Sequence, residues 1–330
     1  MTAYPSLRGV PRLACMALLP LLGGHALAQS PSISQPGGLN LGVTSFYDGF
    51  SGPPGWAWQT TVRHSSANKI VDANGHANPV FADPKINSTV VVNQLSHAMP
   101  TSIQGWRPGF MAILPVVSLD SSFGPGPSLK DGGTGLADMT LEASLQSEPV
   151  VNAGGAPVFV QRLTAAAILP TGRYKQNLDI NQGSGYASFN PYWAATFFPA
   201  PRWEMSWRLH YLYNFKNDKP ASSAPRPFNG QPVTTTQAGD AAWVNFAASY
   251  AVTPDVSLGI NGYYFQQLSD SRANGTRIAD SRERVLGIGP GLMWRISPEK
   301  ALWVNAYSES MVRNRASSAL NLQVRTVFAF

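Results

Sequence analysis

A single cysteine, Cys15, occurs in the chain, near the start of the apolar run "LACMALLPLL". Arg8 and Arg12 stand before that run, and "ALAQS" after it offers the small residues Ala26 and Ala28, so residues 1–28 have the form of a secretory signal peptide. A lipoprotein signal would carry its cysteine at the end of the apolar run, which Cys15 does not match. Cleavage after Ala28 removes the cysteine, and with it any disulfide framework. Charge is also scarce: Asp, Glu, Lys and Arg make up 13% of the chain, against roughly 25–35% on an ordinary soluble surface. The signal takes two of the 24 basic residues and none of the 18 acidic ones, leaving 22 − 18 = +4, with no Lys/Arg block. No nucleic-acid partner is expected from such a distribution.

Other absences narrow the reading further. Beyond the signal no run approaches the roughly 18 apolar residues of a membrane helix, and "FMAILPVV", among the longest, contains a proline. Any membrane crossing must then be made by strands. His64, His76, His97 and His210 are not at metal-ligand spacing, "GPGPSLKDGGTG" lacks a Gly-Lys-Ser/Thr sequence, and "GIGPG" lacks the flanking strand-to-helix pattern of a nucleotide loop. Ser206 and His210, four residues apart on one strand, would lie about 13 Å from each other, too far for a nucleophile and its base. No cofactor, metal or catalytic group is expected.

What the chain does contain is alternation. In "RWEMSWRLHYLYNFK", Trp203, Met205, Trp207, Leu209, Tyr211, Tyr213 and Phe215 occupy one parity; Glu204, Ser206, Arg208, His210, Leu212, Asn214 and Lys216 occupy the other. A strand separates these sets, whereas a helix would mix them. Trp203 at one end and Tyr213 with Phe215 at the other fit two interfacial aromatic girdles across a membrane that about 9–11 residues span. Similar segments at 56–66, 86–98, 103–119, 134–147, 157–170, 185–198, 241–252, 255–267, 282–296, 301–312 and 317–330 bring the number to about twelve, with ten or fourteen as alternatives. The expected fold is all-β: an antiparallel transmembrane barrel over residues 55–330.

Connection lengths support this and assign the ends. "MPT", "PAP", "VTPD" and "SPEK" are short, while the intervening connections near 68–85, 120–133, 171–184, 217–239 and 269–281 are long and rich in Gly, Pro, Asn and Ser. Outer-membrane barrels have short periplasmic turns and longer external loops. Two connections depart from the pattern, a longer inner one at 150–156 and a short outer one at "RNRA". An even strand count puts both termini on the periplasmic side. Phe330 then ends the last strand at the inner interface, as does the C-terminal aromatic that outer-membrane proteins present to the assembly machinery. Residues 29–54, with Pro53-Pro54, do not suit a central strand and are expected to form an extension or a plug.

The phrases "YDGFSGPPGW", "ILPTGRYKQN", "FNPYWAATFFP", "GINGYYFQQLSD" and "LGIGPGLMW", in this order and spacing, resemble the meta-pathway phenol-degradation family of outer-membrane channel proteins over about residues 42–330. The resemblance implies a bacterial outer-membrane channel for passive or facilitated uptake of small hydrophobic, aromatic compounds, linked to their catabolism. It carries no catalytic or ligand-binding residues. Structural, adhesive or lipid-modifying barrels are the alternatives, and a soluble secreted β-protein is the alternative fold.

Strand parity supplies a candidate lumen lining: Glu204, Arg208, His210, Asn245, Asn261, Gln323 and Arg325, with Arg162 added, and Trp243, Tyr263 and Phe265 as apolar contacts for a solute. The charged members either pair with one another and stabilise the barrel or set the field of the pore. The partners expected are outer-membrane lipid, the assembly machinery and a small hydrophobic or aromatic solute.

Overall fold

The computed structural model describes residues 33–330 except Gly38, so the signal peptide expected at residues 1–28 lies outside the described residues. Twelve long antiparallel strands form one closed ring. They are β1 (Gly55–Val71), β2 (Lys85–Ala98), β3 (Trp106–Ser122), β4 (Met139–Ser147), β5 (Pro157–Leu169) and β6 (Ser188–Phe197), then β7 (Trp203–Asn214), β8 (Ala241–Ala251), β9 (Val256–Gln267), β10 (Arg284–Ser297), β11 (Lys300–Arg313) and β12 (Arg315–Ala329). Each pairs with its neighbours in sequence, and β1 closes the ring on β12, so that no strand of the ring is an edge strand along its whole length. A closed ladder also satisfies every interstrand backbone group where lipid offers no partner. Trp56 and Phe330 seal the seam by exchanging backbone hydrogen bonds of 3.1 and 2.8 Å.

The alternation in sequence becomes an inside-out distribution of side chains. On β7, Trp203, Met205, Leu209, Tyr211 and Tyr213 are exposed while Glu204, Ser206, Arg208, His210 and Asn214 are buried; Leu209 is 50% exposed and His210 only 2%. Such an apolar exterior over a polar interior is the arrangement of a barrel in lipid. Trp56, Trp58, Phe110, Trp203, Trp294 and Phe328 are exposed at the inner ends of their strands, where the short turns lie; Phe189, Tyr213 and Phe215 are exposed at the outer ends. These are the two girdles. The outer loops carry a small three-stranded sheet of Thr236–Gln237, Arg272–Ala273 and Thr276–Arg277.

Several boundaries differ from the sequence reading. The strand expected at 134–147 is interrupted: Thr134–Leu136 pairs with the outer part of β3, then Ala137 and Asp138 turn inward before β4 begins. Asp138 is held there by the Gly172 and Ser184 N–H groups, at 2.9 and 2.7 Å. The long inner connection is a hairpin extension, with Val150–Val151 paired to the start of β5 and Asn152 closing the turn. At the short outer connection the last β11–β12 pair is Tyr307 with Asn321. Beyond it, residues 308–313 stay with β10 and residues 315–320 with β1, so the wall parts toward the outer end and only Asn314 joins the two strands. Glu309 crosses the gap, accepting the Ser318 N–H at 2.8 Å and the Tyr263 hydroxyl at 2.7 Å.

One expectation is corrected outright. Both ends of the ring of strands lie at the inner end, but the chain ahead of β1 does not stay there. Ile33 packs among Phe228, Val233, Ala273 and Ile278 of the outer loops, and the Ser34 carbonyl accepts the Tyr186 hydroxyl at 2.8 Å. An even strand count fixes where strands begin and end; it says nothing of the residues before the first.

A threaded segment and two lumen chambers

Residues 33–54 run down the lumen from the outer loops to the start of β1, and inward side chains receive them at each level. Near the top, Gln35 lies between Asn214 and Gln267, at 2.9 and 3.2 Å. In the middle, Trp243 Nε1 and Asn245 Nδ2 donate to the Asn40 carbonyl at 3.0 and 2.8 Å, and the Gly42 N–H donates to Asn245 Oδ1 at 2.8 Å. The Tyr307 hydroxyl and Gln323 Nε2 donate to the carbonyls of Gly42 and Val43. Lower down, the N–H groups of Tyr47, Asp48 and Gly49 donate to Glu204, Ser206 and Thr196. Asp48 forms a buried ion pair with Arg208, and Arg162 Nη1 donates to the Phe50 carbonyl at 3.1 Å.

Glycine makes this close passage possible at two places. A Cβ on Gly42, whose φ is +71°, would stand 2.7 Å from the Tyr263 ring, and one on Gly49 would stand 2.5 Å from the Thr196 nitrogen. Such contacts with an aromatic ring and with backbone leave no room for a side chain.

The segment separates two cavities, and Val43 borders both. The outer one, about 420 Å³, is walled by Leu39 and Leu41 of the segment, by Ile70, Val90 and Val92 of β1 and β2, and by Phe265 of β9. Asn314 and Arg315 of the parted wall also border it. The inner one, about 680 Å³, opens among Asp48, Glu142, Arg162, Arg208 and Arg325, with Phe46, Ile113, Phe198 and Met293 supplying apolar surface.

All eleven residues expected in the lining are buried, and they divide by what they touch. Arg162, Glu204, Arg208, Trp243, Asn245 and Gln323 hold the segment through the bonds above. His210 stacks on Trp243, ring centroids 4.1 Å apart, and its Nδ1 lies 3.1 Å from Asn190 Oδ1. Asn261 reaches the Gly289 carbonyl at 3.4 Å. Tyr263 packs edge-on against Tyr307 and bonds Glu309; Phe265 faces the outer cavity; Arg325 lies over the Trp303 ring at 4.0 Å and borders the inner cavity. Phe330 is exposed at the inner end beside Phe328. In "GIGPG", Gly287 leaves room for Tyr263 and Gly291 for Asn261, with Asn305 and Phe46 close behind.

Sequence reasoning missed Asp48, Glu142, which accepts the Tyr192 hydroxyl at 2.7 Å, and Glu309. For Asp48 a signal existed: it is the sole charged residue between 29 and 55, in a stretch that is otherwise Gly, Pro, uncharged polar and apolar residues.

A closed twelve-stranded barrel with an apolar exterior, ending on an aromatic, is matched over residues 67–325 by the model of a family described as "MetA-pathway of phenol degradation". The chain belongs to this family. Among solved structures it is similar to the COG4313 outer membrane channel from Pseudomonas putida F1, with 20% identity and a TM-score of 0.72, covering 87% of this chain and 100% of that one. More distant barrels include the translocator domain of autotransporter NalP from Neisseria meningitidis, at 9% identity, TM-score 0.48, and 85% and 90% coverage. The TodX monoaromatic hydrocarbon channel stands at 9% identity, TM-score 0.44, and 92% and 99% coverage. No curated protein matches in sequence. The family member described here is a β-barrel of the bacterial outer membrane.

Proposed function

We propose that the protein is a channel through which small hydrophobic, chiefly aromatic compounds cross the outer membrane toward their catabolism. The observation that carries this reading is the outer cavity, where Leu39, Leu41, Ile70, Val90, Val92 and Phe265 present apolar surface inside the barrel. A general pore for sugars and salts has a polar, water-filled lumen, and aliphatic walls there lower the affinity for such solutes while offering an aromatic ring weak contacts. Weakness is required, because conduction needs sites that release the solute. The family's description in terms of phenol degradation, and the channel named for the Pseudomonas relative, support the same direction.

The test is flux through purified barrel in proteoliposomes, toluene against glucose, normalised to folded protein. Replacing Val92 and Phe265 together with serine is expected to slow toluene several-fold and leave glucose unchanged, since each apolar side chain contributes up to about 1.5–3 kcal/mol to contacts with an apolar partner. Absence of protein-dependent toluene flux would remove the transport reading and favour a structural, adhesive or lipid-modifying barrel. Equal losses for both solutes would indicate a general pore.

Phe330 we read as the signal presented to the assembly machinery. Its exposed ring at the seam makes a charge there the sharpest test. Phe330→Asp is expected to lower the yield of folded barrel in the outer membrane at least severalfold, measured by heat-modifiable mobility. Wild-type yield would rule the signal out.

A further inference from the structure

The inner cavity has a chemical bias that passage of neutral aromatics does not explain. Arg325 is 94% buried, since its relative exposure is 6%, yet among the described residues its guanidinium makes no hydrogen bond or ion pair; its one contact of note is the face of Trp303. Trp303 stands directly across the β11–β12 ladder from it, and the indole Nε1 is likewise buried without a partner. Arg162, which borders the same cavity, leaves its Nε unmet. Among the described residues lining this cavity, those three atoms are the buried polar atoms without partners, and all three are N–H donors. Water meets donors and acceptors alike. A set made only of donors on cationic and indole groups calls for an acceptor that carries negative charge.

The carboxylates nearby are already engaged. Asp48 is taken by Arg208, Glu142 accepts the Tyr192 hydroxyl, and Glu299 accepts the Ser297 hydroxyl at 2.9 Å. With Arg295 and Lys300 at the rim, five cationic side chains face the cavity against these three acids. Its volume of about 680 Å³ lies in the usual range for small-molecule sites, about 300–1,000 Å³. Apolar surface from Phe46, Ile113, Phe198 and Met293 lies in the same space.

We propose that the inner cavity binds the carboxylate of an amphipathic aromatic acid, its charged group at Arg325 and Trp303 and its ring against the apolar wall. The site is defined by binding and does not rest on the transport reading. Calorimetric titration of the full-length purified barrel in non-ionic detergent, with benzoate, benzyl alcohol and acetate as probes, tests it directly. Benzoate is expected to bind at least tenfold more tightly than either of the others, because benzyl alcohol lacks the charge and acetate lacks the ring. Arg325→Met should erase the preference over benzyl alcohol, and Trp303→Phe, which keeps a ring beneath Arg325 but removes its N–H, should weaken benzoate severalfold with benzyl alcohol unchanged. Equal binding of benzoate and benzyl alcohol by the wild-type barrel overturns the proposal, as does an undiminished preference in Arg325→Met; acetate binding as tightly as benzoate overturns the aromatic part. Should Arg325→Met fail to assemble, the wild-type comparison and Trp303→Phe decide.

Discussion

Asp48→Leu is expected to raise single-channel conductance and to speed amide exchange over residues 39–50, with the strand ladders still protected. Asp48 gives the threaded segment its one ionic anchor, gripping Arg208 through both carboxylate oxygens inside the barrel. Removing one partner of a buried pair costs about 3–5 kcal/mol, since the remaining charge stays buried and uncompensated. In this barrel the penalty falls on the segment, because Arg208, which already borders the inner cavity, gains further water when the backbone from Tyr47 to Phe50 moves aside. The double substitution Asp48→Leu with Arg208→Met removes the stranded charge as well, and is expected to return conductance most of the way to wild type. Planar-bilayer recordings of the three proteins at one salt concentration suffice. Unchanged conductance in Asp48→Leu would show that the neutral hydrogen bonds along the segment hold it without the ion pair.

Leu209→Arg is expected to cost about 2–4 kcal/mol of folding stability in the bilayer, the penalty for a cation on the lipid face near mid-membrane. Leu209 is in the middle of β7 and half exposed to lipid. Gln94→Arg is the matched control, because Gln94 borders the inner cavity and bonds Gln59 across the β1–β2 pair. It is expected to fold as wild type. Urea unfolding of both variants in lipid vesicles gives the comparison, and equal destabilisation would reverse the inside-out assignment. His210 is a poorer control than its position suggests, being stacked on Trp243 with no space for a longer side chain.

The architecture was legible because barrel strands repeat a two-residue period, and β7 wrote it without interruption from Trp203 to Tyr213. That Phe330 ends the last strand was legible for the same reason, while its pairing with Trp56 across the seam was not. Boundaries drifted where the period is suspended by tertiary contacts: Asp138 turns inward toward Gly172 and Ser184, which no local pattern announces. Parity brought the polar lining to one surface, yet could not say what that surface touches. Glu204 and Asn245 meet backbone N–H groups of Tyr47 and Gly42, and Arg208 the carboxylate of Asp48, all more than 150 positions away, and a segment without periodicity leaves no trace of its path. The parted wall at residues 308–320 was hidden for a related reason: both strands continue to alternate while each follows its other neighbour.

The threading of residues 33–54 sets an order of events during biogenesis. Ile33 reaches the outer loops through the space the ring encloses, so a barrel that closed first would have to admit its leading segment lengthwise through the lumen, past Arg208 and Trp243. The shorter route lays that segment against β7 and β8 while Trp56 and Phe330 are still apart, and is the order expected. On that account the inward polar residues serve first as a mould, guiding the curvature of an open sheet, and only afterwards as the lining of a lumen.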